Sequence, residues 1–240
     1  MNAERTYRHL IRSDRLVAFG VRVQETDLMI HAGKNLKDLA RELVFRYRGH
    51  IETYIERYPE FLRTLRPWPS DGPYPEIVAA MVQAGRAAQV GPMAAVAGAL
   101  AEKVGNELLA HSEDVIVENG GDVFIKTTRP LTMAIFAGKS PLSLKVGLTF
   151  QPDPEPFAVC TSSGTVGHSF SYGVADAVCV IAGSCALADA AATAVGNRIH
   201  FARDIQAAIE FGQTIEGVRG LVAIMGEAMG MWGRVAIQAL

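Results

Sequence analysis

The stretch Cys160-Thr161-Ser162-Ser163-Gly164-Thr165-Val166-Gly167-His168, then Gly173 to Ala182, then Ala188-Asp189-Ala190-Ala191-Ala192-Thr193-Ala194, decides how the chain is read. It gathers small hydroxyls, glycines, one histidine and two alanine-flanked aspartates, Asp176 and Asp189. Such residues bind phosphate, ligate a hard cation or move a proton without filling the space a ligand needs. The run from Thr161 to Gly167 follows a predicted strand, so Ser162, Ser163 and Gly164 can turn hydroxyls and backbone N–H groups toward phosphate oxygens. Its spacing matches neither the P-loop nor the dinucleotide glycine pattern. His168, between Gly167 and Ser169, stands in a polar loop with an unperturbed pKa near neutrality, which suits a general acid or base.

From Gly173 to Ala182, Val174, Asp176, Val178 and Val180 alternate with Ala175, Ala177, Cys179 and Ile181. The segment is therefore read as a strand apolar on both faces. Asp176 in that setting must be hydrogen-bonded, paired or metal-bound, since burying a lone carboxylate is costly. Ser184 is placed as N-cap of the helix that follows. On that helix Asp189 and Thr193 are four residues apart and share a face. A carboxylate above a hydroxyl, among alanines, suits an oxygen-ligated cation such as Mg²⁺, although a helix contact eased by small residues gives the same pattern.

Outward from this stretch the elements alternate without βαβ regularity. Thr6 to Ile11, Leu16 to Gln24 and Asp27 to His31 read as an opening meander, its first turn at Arg12 to Arg15. Asn35 is placed as the cap of a long amphipathic helix reaching Tyr58. Five prolines between Tyr58 and Pro75 imply an irregular crossing loop, or a linker where two subdomains meet. Pro75 opens a helix to Ala88, and Gly91 to Gly98 interrupts and restarts helical structure to about Ala110. Asn119-Gly120-Gly121-Asp122 predicts a tight hairpin between Asp114–Glu118 and Val123–Lys126. Strands follow at Leu131 to Ala137 and Lys145 to Phe150, a helix at Asp204 to Phe211, and a last hairpin of Leu221 to Met225 and Met231 to Ile237. Hairpins mixed with helices predict an α+β fold with mixed sheets and packed helices.

Apolar residues make up 49% and charged residues 20% of the 240, and the net charge is −2. That composition describes a folded globular chain and offers no basis for general nucleic-acid or anionic-membrane binding. No apolar run reaches the ~18 residues of a membrane helix, and Met1-Asn2-Ala3-Glu4-Arg5 does not read as a signal peptide. A cytoplasmic location is expected. Cys160, Cys179 and Cys185 are odd in number and lack Cys-x-x-Cys spacing, which predicts free, mostly buried thiols.

Ala188-Asp189-Ala190-Ala191-Ala192-Thr193-Ala194 resembles the Ala-Asp-Ala-x-Ala-Thr-Ala signature of the ApbE superfamily. Asn119-Gly120-Gly121-Asp122 is similar to that family's Asn-x-Gly-Gly-Asp segment. Ser162-Ser163-Gly164 with His168 resembles its Ser-Gly loop and downstream histidine. Order and approximate spacing agree from Val115 to Val195. The resemblance implies one ApbE-like domain over residues 1–240 and a Mg²⁺-dependent flavin transferase that attaches FMN, taken from FAD, to a threonine of an acceptor protein. It implies Asp189 and Thr193 as Mg²⁺ ligands, Gly120, Gly121 and Asp122 along the flavin site, Ser162, Ser163 and Gly164 at phosphates, and His168 as proton acceptor.

Two departures stand beside it. Typical transferases continue from the histidine into Ile-Asp-Pro-x-Thr-Gly, whereas His168 continues into Ser169-Phe170-Ser171-Tyr172-Gly173. The opening residues read without an exported, lipid-anchored leader, so the chain resembles the family's short, cytosolic, functionally unassigned branch, which Pro92 to Gly98 also fits. Three other functions stay open: a related pyrophosphate-cleaving enzyme, a non-catalytic protein that binds a flavin, a pterin or another phosphorylated ligand, and a structural subunit. The last would associate with another chain, including a second copy, through the small-residue surfaces at Ala94 to Ala101 and Ala186 to Ala194.

Overall fold

The structure is a computed structural model describing residues 15–69, 71–165 and 172–240. A hairpin of Val17–Val23 (β1) and Thr26–Ala32 (β2) leads into the 21-residue helix Lys37–Arg57 (α1). After a short turn of helix at Glu60–Arg63 (α2) come Glu76–Ala88 (α3), a 3₁₀ turn at Pro92–Ala95, and Val96–Leu108 (α4). Five strands follow: Val115–Asn119 (β3), Asp122–Lys126 (β4), Leu131–Ala134 (β5), Val146–Phe150 (β6) and Phe157–Ser162 (β7). Then come Ala177–Ala182 (β8), Cys185–Gly196 (α5), Ile205–Gln213 (α6), Val218–Met225 (β9), Ala228–Gly233 (β10) and Ile237–Ala239 (β11).

The strands make an eight-stranded sheet in the order β1-β2-β3-β4-β7-β8-β9-β10 and a three-stranded sheet in the order β11-β6-β5. Every described pairing is antiparallel. Side-chain alternation divides the large sheet between two cores. Val178, Val180 and Ala182 of β8 pack among the helices, while Ala177, Cys179 and Ile181 pack toward the small sheet. Phe124 of β4 likewise faces the helices, and Val123 and Ile125 face away from them. The fold is α+β, as the mixture of hairpins and helices predicts. Burial on both faces explains why the central strands read as continuous apolar runs.

Local boundaries differ from the sequence reading in places. Thr6 to Ile11 lies outside the described residues. α1 starts at Lys37 with Leu36 in the cap position, yet Asn35 serves it: Asn35 Oδ1 accepts the Lys37 N–H at 3.0 Å. The proline-rich segment buries Phe61 and Trp68 in an aromatic group around Tyr54. Trp68 Nε1 donates to the Tyr54 hydroxyl at 3.1 Å. The last hairpin turns at Gly226-Glu227, not over Gly226 to Gly230, with Met225 paired to Ala228. β10 ends at Gly233, and the chain crosses to pair β11 with β6. The small-residue surfaces of α4 and α5 pack on each other, with Ala99, Ala101, Ala186, Ala188 and Ala190 buried. Among the described residues no helix is long and apolar enough to cross a membrane.

Candidate functional site

One end of the large sheet, beneath the start of α4 and the length of α5, collects most of the residues singled out above. At the β3–β4 turn Asn119 pairs with Asp122, and Gly120 and Gly121 take φ values of 73° and 127°. A two-residue turn of this kind requires positive φ at both positions, which is why glycine occupies both. The Gly121 carbonyl accepts the Thr161 N–H at 3.2 Å, tying the turn to the end of β7. Asn119 Nδ2 donates to the Ala97 carbonyl at 3.0 Å, which fixes the start of α4 above the sheet. Asp122 pairs in the ladder with Cys160 and is buried. Burial pushes its carboxyl well above the ordinary carboxylate range, and the negative charge of Asp189 pushes it the same way.

α5 is held at its N-terminus by two acceptors. Ser184 Oγ accepts the Leu187 N–H at 3.3 Å, as the cap reading predicts. Ser184 Oγ also donates to Glu102 Oε2 at 2.9 Å, and the same oxygen accepts the N–H groups of Cys185 at 2.6 Å and Ala186 at 3.2 Å. A carboxylate in this place satisfies orphan donors and complements the helix dipole. Gly98 of α4 lies directly on α5. A Cβ there would stand 2.3 Å from the Cys185 carbonyl oxygen and 2.8 Å from Asp189 Cβ. The Gly98 N–H donates to Asp189 Oδ2 at 2.9 Å. Burial raises the Asp189 carboxyl to about 7, against the opposing pull of the Gly98 and Ala97 N–H groups. Thr193, half-buried, follows one turn later on the same face. Gly196 comes next; a Cβ on it would lie 3.7 Å from Ser162 Oγ.

The loop after β7 rests on glycines. A Cβ on Gly164 would meet the Gly173 carbonyl oxygen at 2.1 Å, and one on Gly173 would meet that of Gly196 at 1.9 Å. Gly164 N–H donates to the Ala175 carbonyl at 2.9 Å, and Ser163 Oγ accepts the Thr165 N–H at 3.1 Å. Gly173 to Asp176 precede β8 instead of forming its first half. Asp176 is hydrogen-bonded: it accepts from Thr165 Oγ1 at 3.2 Å and from the Gly226 N–H at 2.7 Å. His168 lies outside the described residues.

A family model described as AbpE bacteria matches residues 8–231. The chain belongs to this family. A UPF0280 protein of Methanosarcina acetivorans is 40% identical over 200 residues, covering 82% of this chain and 79% of that one. A UPF0280 protein of Methanocaldococcus jannaschii is 37% identical over 220 residues, with 89% of each chain covered. Among solved structures, the apo flavinyl transferase ApbE of Pseudomonas stutzeri superposes with a TM-score of 0.62 at 16% identity, covering 92% of this chain and 95% of that one. The flavin transferase ApbE of Vibrio cholerae gives 0.58 at 13%, covering 90% and 96%. At those identities the likeness is one of fold. The chain thus stands in the UPF0280 branch of the ApbE superfamily.

Within this ApbE-type fold, Gly120, Gly121, Asp122, Ser162, Asp189 and Thr193 lie around one end of the sheet, and Ser163 and Gly164 continue the loop from β7. Among the described residues no three His, Cys, Asp or Glu side chains form a metal-binding group. Asp122 and Asp189 lie close enough for the charge of Asp189 to raise the Asp122 carboxyl, and Thr193 follows one turn after Asp189 on α5. Carboxylate and hydroxyl oxygens are the donors that a hard cation takes, and such a cation would relieve the opposed charges. Cys160 Sγ lies 3.4 Å from the Cys185 carbonyl oxygen and 3.6 Å from Cys185 Sγ, and it also hydrogen-bonds the Asp122 carboxyl. Glu102 and Asn119 support the site without having been singled out for it, whereas Gly98 ends the Gly91 to Gly98 stretch, whose small side chains permit another backbone or a ligand to approach closely. Asn119 stood in the hairpin motif, whereas Glu102 carries no local signal, since its partners are more than eighty residues away.

Proposed function

We propose that this chain binds Mg²⁺ and a flavin nucleotide, with FAD the first candidate, and transfers FMN from FAD to a threonine of an acceptor protein. The observation that carries the reading is the buried approach of Asp122 to Asp189, with Thr193 one helical turn beyond. Asp189 and Thr193 would hold the cation. Gly120, Gly121 and Asp122 would border the flavin nucleotide, Ser162, Ser163 and Gly164 would receive its phosphates, and His168 would take the proton. When bound, Mg²⁺ supplies positive charge against the pyrophosphate.

The acceptor threonine oxygen attacks the phosphorus on the FMN side of the pyrophosphate, the bond from that phosphorus to the bridging oxygen breaks, and AMP leaves with that oxygen. The hydroxyl proton passes to His168. Gly98 keeps Asp189 aimed by occupying one of its oxygens, and the Gly164–Gly173 contact fixes where the hydroxyl loop begins.

Titration with FAD, with and without Mg²⁺, following flavin fluorescence and AMP together, tests the reading. Mg²⁺-dependent binding and AMP release, both lost in Asp189→Ala, are expected. Binding without AMP in the presence of any acceptor would favour a flavin- or pterin-binding protein, consistent with the replacement of Ile-Asp-Pro-x-Thr-Gly by Ser169 to Gly173. Absence of flavin binding at any Mg²⁺ concentration would overturn it.

A further inference from the structure

Asp176 touches two segments that are otherwise far apart in sequence. Its Oδ1 accepts the Thr165 hydroxyl at 3.2 Å and its Oδ2 accepts the Gly226 N–H at 2.7 Å. The carbonyl of the same Gly226 accepts Ser140 Oγ at 2.6 Å, from the loop that joins β5 to β6 beneath the large sheet. Asp176 is itself fixed by its own N–H, which donates to the Ile224 carbonyl at 2.9 Å. Thr165 is the last described residue of the hydroxyl loop, and Ser163 Oγ, which accepts its N–H, lies 3.3 Å from its Oγ1. A continuous chain of hydrogen bonds therefore runs from Ser140 through Gly226 and Asp176 to Thr165 and Ser163.

We infer that Asp176 is a positioning residue, which sets the conformation of the Ser163-Gly164-Thr165 loop for phosphate binding by anchoring it to the β9–β10 turn. The inference rests on the reading that this loop receives the phosphates of a flavin nucleotide. Both carboxylate oxygens hold donors from the chain, one from the loop and one from the β9–β10 turn, which is the bonding an anchor needs. A carboxylate accepts both bonds without needing a proton. An asparagine can do nearly the same, because its Oδ1 can accept from Gly226 while its Nδ2 donates to the Thr165 hydroxyl, which can turn to accept. Alanine can do neither.

The experiment compares the full chain with Asp176→Ala, Asp176→Asn, Thr165→Val and the Asp176→Ala/Thr165→Val double variant. Amide hydrogen exchange without ligand and FAD affinity in Mg²⁺ are both measured. In Asp176→Ala, exchange at Gly164 and Thr165 should rise about 10-fold and FAD affinity fall about 10-fold, the size expected for losing a hydrogen bond to a charged group. Asp176→Asn should restore both, and the double variant should bind FAD no more weakly than the weaker single one. Unchanged exchange at Gly164 and Thr165 in Asp176→Ala would overturn the anchoring. Raised exchange with unaltered FAD affinity would overturn its link to the ligand. If the unaltered chain binds no FAD, the functional reading fails by itself, and the exchange measurement still decides whether Asp176 orders the loop.

Discussion

The backbone N–H of Gly98 and the Oδ2 of Asp189 meet at 2.9 Å across the α4–α5 contact. The bond joins the carboxylate of α5 to the first turn of another helix. It holds that carboxylate where its charge acts on the buried carboxyl of Asp122.

That arrangement makes stability depend on pH. A carboxyl raised in the fold binds its proton more tightly there than in the unfolded chain. Its contribution is complete below the ordinary value of 3.8 and is lost as pH rises to about 7. Asp189→Asn keeps an acceptor for Gly98 and removes the titration. The unaltered chain should therefore lose stability relative to Asp189→Asn between about pH 4 and pH 7, read as the difference in urea midpoints. On the proposed function, Mg²⁺ should recover part of that loss above about pH 7 only in the unaltered chain. Parallel midpoints across the range would show that Asp189 is not raised.

Glycine substitutions should separate contact from propensity. Gly98→Ala drives a Cβ into the α5 backbone and should destabilise the fold by about 1–3 kcal/mol. At Gly49, inside α1, a Cβ would have nothing within 4 Å, and Gly49→Ala should stabilise by about 0.5–1 kcal/mol. Chemical denaturation of the two variants side by side checks the opposite signs.

Removing the Glu102 carboxylate strips one acceptor from three donors at the start of α5. Glu102→Ala should lower stability by about 2 kcal/mol, and Glu102→Gln by less, since an oxygen acceptor remains. Equal losses in the two variants would mean that packing, not capping, is what Glu102 contributes.

The three cysteines are free and buried. Burial pushes the Cys179 and Cys185 thiols to about 11 and Cys160 well above its ordinary value, so little thiolate exists near about pH 8. Alkylation with iodoacetamide should proceed only as fast as the chain opens, with all three thiols reacting at once in denaturant. A thiol that reacts quickly in the native chain would contradict this placement.

Much of the architecture is legible in local pattern. The Asn119 to Asp122 turn is written in two glycines that only positive φ explains, and the Ser184 cap of α5 in a hydroxyl three residues before the N–H it accepts. The alternation in Ala177 to Ala182 gives a strand with two buried faces. The same alternation misleads at Gly173 to Asp176, where Gly173 is placed by its contacts with Gly164 and Gly196 and not by ladder bonds. Asp122, Asp189 and Thr193 could be named from motif and spacing, but the approach of Asp122 to Asp189 could not. Nor could the Glu102 cap, because such contacts depend on how the sheet carries α4 toward α5. The same holds for the Asp176 bond to Gly226, fifty residues away.

Gly98 and Asp189 are 91 residues apart in the chain, and β3, β4, β7 and β8 all lie between α4 and α5 in sequence. Closing so long a segment is slow and entropically opposed until the intervening strands have formed. On this ground the candidate site is expected to assemble late in folding, with φ-values near zero at Gly98 and Asp189. A partly folded chain would carry its sheet without its pair of neighbouring carboxylates, and the appearance of that pair would time the arrival of the native state.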